Sequence, residues 1–150
     1  MAKTKPGIGM ANKKYILTPS DVAFEGQPLF RIQAVIDFGS VNAGDFGGLV
    51  QSEYNLSHTS NCWITYYAKA VHGSRVSHNA WLMDHAQLRD QAVLCDNAAL
   101  WHNVVAKGTA QICEDMNVCG CTAIGGSIIV KGACIINSNK ELMEHIRRYS

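Results

Sequence analysis

The residues of this chain best suited to acid–base chemistry, or to contacting an anion, are four histidines: His72, His78, His85 and His102. His72 and His78 are six residues apart, and each is followed eighteen residues later by a carboxylate, Asp90 and Asp96. A carboxylate beside an imidazole can orient a general base, and it can equally be an ordinary surface pair. Trp101 and Lys107 add a ring for stacking and a cation. The candidate ligand-binding set is therefore His72, His78, His85, His102, Asp90, Trp101 and Lys107. If the chain transfers a group, His72, His85 and His102 are the candidate bases; otherwise no residue is expected to be catalytic.

Other chemistry is less well supported. Six cysteines stand at 62, 95, 113, 119, 121 and 134. No pair has CxxC spacing, and Cys119 and Cys121 are too close together for a zinc knuckle, so free thiols and no metal are expected. Cys95 and Cys113 share a column under the eighteen-residue spacing and are expected to pack side by side rather than bridge. Gly44 to Gly48, GDFGG, lacks the Lys and Ser/Thr of a phosphate loop and is expected to be a turn needing positive φ.

The spacing of these residues comes from a repeat. From Asn61 to Ser138 the chain divides into thirteen consecutive sixes, NCWITY through ACIINS, without an insertion. The fourth place of every six is apolar: Ile64, Ala70, Val76, Leu82, Leu88, Leu94, Leu100, Ala106, Ile112, Val118, Ile124, Val130 and Ile136. With 47% hydrophobic residues overall, such a run arises by chance about 5 times in 100,000. The second place is mostly small, with Ala at 68, 80, 86, 92, 98 and 110. Two inward places separated by one outward place make a short strand, and Asn, Asp, Gly and His at the ends of the sixes turn the chain. A period of six drifts out of phase with a helix, and hairpin turn signals are missing. The pattern predicts a parallel β-solenoid of triangular section, three sixes per coil, with residues eighteen apart stacked one above another.

This repeat resembles that of the hexapeptide-repeat, left-handed β-helix proteins. Phe38 to Val50 (FGSVNAGDFGGLV), Ser52 to Ser57 (SEYNLS) and Asn61-Cys62-Trp63 are similar to a phage, prophage and enterobacterial branch of that group, whose members are labelled transferases on fold analogy. The expected fold is thus all-β: a single-stranded left-handed parallel β-helix with an N-terminal β cap and a short C-terminal helix. The left hand is implied by the resemblance alone, since general crossover rules favour the other. The resemblance also implies a homotrimer with parallel axes and grooves along the corners. Acyltransferases of this group place a histidine on a loop that interrupts the coils, with acyl-CoA between subunits, but these thirteen sixes contain no such loop. The related γ-type carbonic anhydrases bind zinc through three histidines. His85 has Cys121 two coils later, but Gly126 stands where a third ligand is needed.

The flanks complete the organisation. Residues 1–12, with Lys3, Lys5, Pro6 and Gly7, are expected to be a flexible arm. Residues 13–60 are expected to be a β cap with strands in KKYIL, PLFRIQAVIDF and GGLVQ, and turns in PSD, EGQP and NAGD. Such a cap shields the first coil's unpaired backbone. The solenoid occupies 61–138, and residues 139–150 are expected to be a capping helix. Ser138 to Glu141 match a capping box there, and Leu142, Met143, Ile146 and Tyr149 follow helical spacing.

Composition narrows the function. Thirteen basic and twelve acidic residues give a net charge of +1, too balanced for nucleic-acid binding or a polybasic membrane anchor. No apolar run reaches the roughly 20 residues that span a bilayer, and no signal peptide is apparent, so the expected compartment is the cytoplasm, the host's if the chain is phage-encoded. Outward residues Trp63, Trp81, Met83, Trp101, Ile135, Val93 and Ile129 form apolar faces that suit a subunit contact. The reading is a non-catalytic trimeric solenoid that binds a partner or sequesters a small anionic ligand, such as a nucleotide, in its intersubunit grooves. The alternative is a minimal acyl-CoA-dependent acyltransferase.

Overall fold

The structure, a computed structural model, describes residues 13–149, without the side chain of Tyr149. The expected arm at 1–12 and the place of Tyr149 on the helix face lie outside the described residues.

The six-residue clock becomes a three-sided solenoid. Among the described residues, thirteen two-residue strands, β4 (Trp63–Ile64) to β16 (Ile135–Ile136), follow at six-residue intervals. Each pairs in parallel with the strand eighteen residues away, as in Trp81↔Ala99 and Leu82↔Leu100, or Gln111↔Ile129 and Ile112↔Val130. The three faces carry three inward columns: Ile64, Leu82, Leu100, Val118 and Ile136; Ala70, Leu88, Ala106 and Ile124; Val76, Leu94, Ile112 and Val130. All are buried, and the second-place alanines between them are fully covered. Small residues at the second place let three walls approach while branched aliphatics fill the middle, which gives one continuous apolar core. The second place leaves the interior only at the end, where Ile128 is half-buried and Cys134 is exposed.

The cap is a β-meander that continues one face. Strands β1 (Tyr15–Phe24) and β2 (Gln27–Ala34) form an antiparallel hairpin, β2 pairs with β3 (Phe46–Val50), and β3 pairs in parallel with β5 (Lys69–Ala70). Glu25 and Gly26 both take positive φ (51° and 79°) in the two-residue hairpin turn, the conformation that matches strand twist. The expected turn at Pro19-Ser20-Asp21 lies instead inside β1, as a bulge between Pro19 and Ala23. Strand β1 is the sheet's edge, where proline's missing N–H is tolerated, and Ser20 Oγ donates to Leu29 O and accepts from Val22 N across the irregularity.

Coil geometry begins ahead of the first uninterrupted six. Val50 pairs with Ala70 and Leu56 bridges to Val76, so these two occupy inward places of a preceding partial coil. Tyr66 and Tyr54 lie beneath Arg31 and Arg75, at 3.7 and 4.9 Å from guanidinium carbon to ring centre. Arg31 also donates to Gly47 O and Tyr66 O, both at 2.9 Å, which fastens the cap to the solenoid.

At the far end lies helix α1 (Asn139–Tyr149). Ser138 Oγ accepts from Glu141 N (3.1 Å), and the Glu141 carboxylate accepts from Asn137 N (2.9 Å), one residue before the position that a capping box would use. Leu142 is buried and Ile146 packs on the core, while Met143, expected on the same face, is 51% exposed.

Candidate functional site

The corners are built by the sixth place of each six. From His72 to Gly132, all eleven sixth-place residues take positive φ, between 56° and 125°. Only glycine and short polar side chains tolerate this conformation well, which explains why His, Asp and Gly recur there.

These side chains also have a shared task. His72 Nδ1 accepts from Asp90 N (3.1 Å), and Asp90 Oδ2 accepts from Gly108 N (2.9 Å). On the second corner His78 Nδ1 accepts from Asp96 N (3.2 Å), and Asp96 Oδ2 accepts from Glu114 N (2.8 Å). On the third, Asp84 Oδ2 accepts from His102 N (2.9 Å), and His102 Nδ1 accepts from Gly120 N (3.1 Å). Each of these six side chains thus holds the amide of the corner one coil on, where the strand ladder makes no hydrogen bond. An imidazole that accepts at Nδ1 carries its proton, when neutral, at Nε2.

The candidate residues are therefore spread over three corners. His72 and Asp90 share the first, with Lys107 directly before its next step, Gly108; His78 stands on the second; His85, His102 and Trp101 lie at the third. His72 is also clamped by the cap. Its Nε2 lies 2.9 Å from the Glu25 carboxylate, and Phe24 packs edge-on at 5.6 Å between centres. The carboxylate of Asp90 is 3.4 Å from His72 Nδ1, but that nitrogen already accepts from Asp90 N. His85 occupies a first place, outside this ladder, and its exposed ring stacks on Tyr67 at 5.2 Å.

The third corner gathers rings. Tyr66 and Tyr67 contact each other edge-on at 5.1 Å, His85 stacks on Tyr67, and Trp101 lies 4.6 Å from His102. Trp101 Nε1 is buried without a hydrogen-bond partner among the described residues. Trp81, by contrast, donates from Nε1 to Asn61 O at 3.0 Å. Trp63, expected on an outer face, is buried because Phe38 of the cap covers it edge-on at 5.3 Å. The sequence pattern marks outward places but not which of them the cap reaches.

Two clusters lie outside the expected sites. One seals the entrance: Lys14 is buried, and its Nζ donates to Cys62 O (2.8 Å), Ser60 O (3.2 Å) and Cys62 Sγ (3.4 Å). Burial lowers the Lys14 pKa and raises that of the Cys62 thiol. Beside them Tyr15 stacks on His58 at 4.0 Å, Lys14 N donates to His58 Nδ1, and Glu53 bridges His58 and Lys13. Burial pushes the Glu53 carboxyl up, but hydrogen bonds from Lys13 and His58 outweigh it and leave the pKa lowered. Lys13, Lys14, Tyr15, Glu53 and His58 come from the cap, whose contacts no periodicity reveals, and meet Cys62 of the first six. The other cluster joins His78, Cys95 and Asp96, whose ligand-type atoms lie within 4.8 Å of one another; its signal was the eighteen-residue spacing applied across adjacent columns.

In Gly44 to Gly48, Gly44 has the expected positive φ (97°), whereas Gly47 and Gly48 lie in β3. No helix among the described residues is long and apolar enough to cross a membrane. No family model matches the chain, and no curated protein matches it.

The ladder predicts a distinctive mutational pattern at His102. His102→Ala removes the acceptor for Gly120 N and keeps a strained φ, costing about 1–2 kcal/mol. His102→Gly loses the same acceptor but relieves the backbone, and is expected to stay within about 0.5 kcal/mol of wild type. Urea denaturation of the two variants checks this; equal destabilisation by both would count against the ladder.

Proposed function

We propose that this chain is a non-catalytic, homotrimeric β-solenoid of the phage and prophage type, which holds a small anionic ligand such as a nucleotide at its aromatic corner, in the groove between subunits. The observation that carries this reading is the use of His72, His78 and His102 as backbone acceptors. A general base must offer its lone pair to the substrate, and at these three histidines the Nδ1 lone pair faces the next coil.

The third corner supplies what a base-and-phosphate ligand needs. Tyr67 and His85 present a flat stacking surface, and Trp101 Nε1 is a donor without a partner among the described residues. Stacking on aromatic faces is sequence-tolerant and strong enough to hold a single base. Tyr67 is 65% exposed, and a second subunit laid along this corner would close the groove around the ligand. The exposed Ile129 and Ile135, on two different faces of the solenoid, support self-association.

Two measurements test the proposal. Sedimentation is expected to give about three times the chain mass of 16.4 kDa; a species near 16.4 kDa would refute the trimer. A nucleotide panel is expected to raise the melting temperature saturably, with the shift lost in Tyr67→Ala. A saturable shift with acyl-CoA together with acyl transfer, both lost in His85→Ala, would overturn the binding reading in favour of a transferase.

A further inference from the structure

We propose that His78, Cys95 and Asp96 form a binding site for a thiophilic divalent cation of the zinc class on the second corner. Each presents a ligand-type atom within 4.8 Å of the others. Together they offer one imidazole, one carboxylate and one sulfur, donor kinds that zinc takes, and leave its fourth tetrahedral position to water.

Three features favour a cation here. His78 Nδ1, 3.6 Å from Asp96 Oδ1, accepts from Asp96 N and so is unprotonated when the ring is neutral. That bond is long, at 3.2 Å, and a bound cation would take its place on the lone pair. The corner is also acidic: Asp96 and Glu114 stand at it in successive coils, and Asp115 follows Glu114. Finally, the half-buried Cys95 follows directly on a paired strand, Val93 pairing with Gln111 and Leu94 with Ile112, so little ordering remains when a metal binds.

On binding, the Cys95 thiol releases its proton to solvent and a sulfur lone pair bonds to the metal, with no change of oxidation state. All three donors belong to one chain, so the site does not depend on the trimer or on the nucleotide groove at the third corner.

Cobalt(II) reads this chemistry directly. Titration of the full chain, reduced with a non-coordinating phosphine, is expected to give one cobalt per chain, a thiolate-to-cobalt charge-transfer band and the intense visible bands of tetrahedral coordination. Zinc is expected to bleach them stoichiometrically. Cys95→Ser should abolish the charge-transfer band, and Asp96→Asn, which keeps an oxygen acceptor for Glu114 N, should weaken binding at least tenfold. Both substitutions leave the corner hydrogen bonds in place, so loss of binding cannot be mistaken for loss of fold. Cys134→Ser and Cys121→Ser should leave the spectrum unchanged. The proposal is overturned if wild type shows no charge-transfer band, if the band survives in Cys95→Ser, or if it disappears in Cys134→Ser.

Discussion

Asn55→Ala is expected to destabilise the junction between cap and solenoid by about 3–5 kcal/mol, the largest effect of any single polar substitution considered. The side chain is fully buried, and its amide is used completely. Oδ1 accepts from Gln51 N (2.9 Å) and Ser52 N (3.0 Å), while Nδ2 donates to His72 O (3.0 Å) and Ser74 O (2.8 Å). One residue thus ties the 3₁₀ turn at Glu53–Asn55 to the first full coil. Alanine would strand two amides and two carbonyls. Water can reach Gln51 and Ser52 but not Ser74, which is why the estimate stays below the sum of four full penalties. Asn55→Asp should be at least as damaging, since it keeps the acceptor and turns a carboxylate oxygen toward two carbonyls. Because solenoids unfold coil by coil, the sharpest readout is amide exchange. Ser57 and Arg75 should lose protection first, while Val105 and Gln111 keep theirs. If Asn55→Asp proved within about 1 kcal/mol of wild type, the clamp would be discounted.

Gly48→Ala is expected to cost about 3 kcal/mol or more, beyond the usual range for one added methyl group. A Cβ at Gly48 would collide with Ile64 Cγ2 and with the carbonyl oxygens of Thr65 and Ala68. Those oxygens belong to backbone and cannot swing aside. Ala68 O is also the acceptor of Leu49 N at 3.0 Å, so relief of the clash would pull β3 off β5. Gly47 is nearly as crowded, with Trp63 Cζ2 at 2.6 Å and Ile32 Cδ1 at 2.7 Å from an added Cβ. Gly126 provides the contrast. It has φ +68° but nothing within 4 Å, so Gly126→Ala should cost only about 1 kcal/mol, from backbone strain. Thermal unfolding of the two variants should separate steric from conformational glycine; equal losses would contradict this division.

These two positions show what periodicity can and cannot carry. Asn55 and Gly48 lie in the cap, where the sequence offers strands and turns but no register. The turn expected at Pro19 to Asp21 became a bulge for the same reason: a β1 edge can absorb proline, and only the partner strand reveals that β1 continues past it. Trp63 looked outward by phase and is buried by Phe38, a residue twenty-five positions earlier. Within the solenoid the situation reverses. Ile64, Leu82 and Leu100 were placed in one column from spacing alone, and they stack there, because a constant six-residue side leaves no freedom in register.

The corner histidines fall between these cases. Their positions at His72, His78 and His102 follow from the repeat, and so does the eighteen-residue relation to Asp90 and Asp96. Their use does not. An imidazole beside a carboxylate reads as an oriented base, whereas the folded chain turns Nδ1 to the next coil's amide and takes the carboxylate to the coil beyond.

By itself, then, the sequence determined the architecture: a three-sided parallel solenoid with small and branched residues inside, since apolar second and fourth places in a constant six fit neither a helix nor a hairpin meander. Tertiary structure decided the chemistry. Which side chains are spent on backbone amides, which the cap covers and which converge across coils depends on three-dimensional hydrogen bonding and proximity, and a one-dimensional period specifies neither.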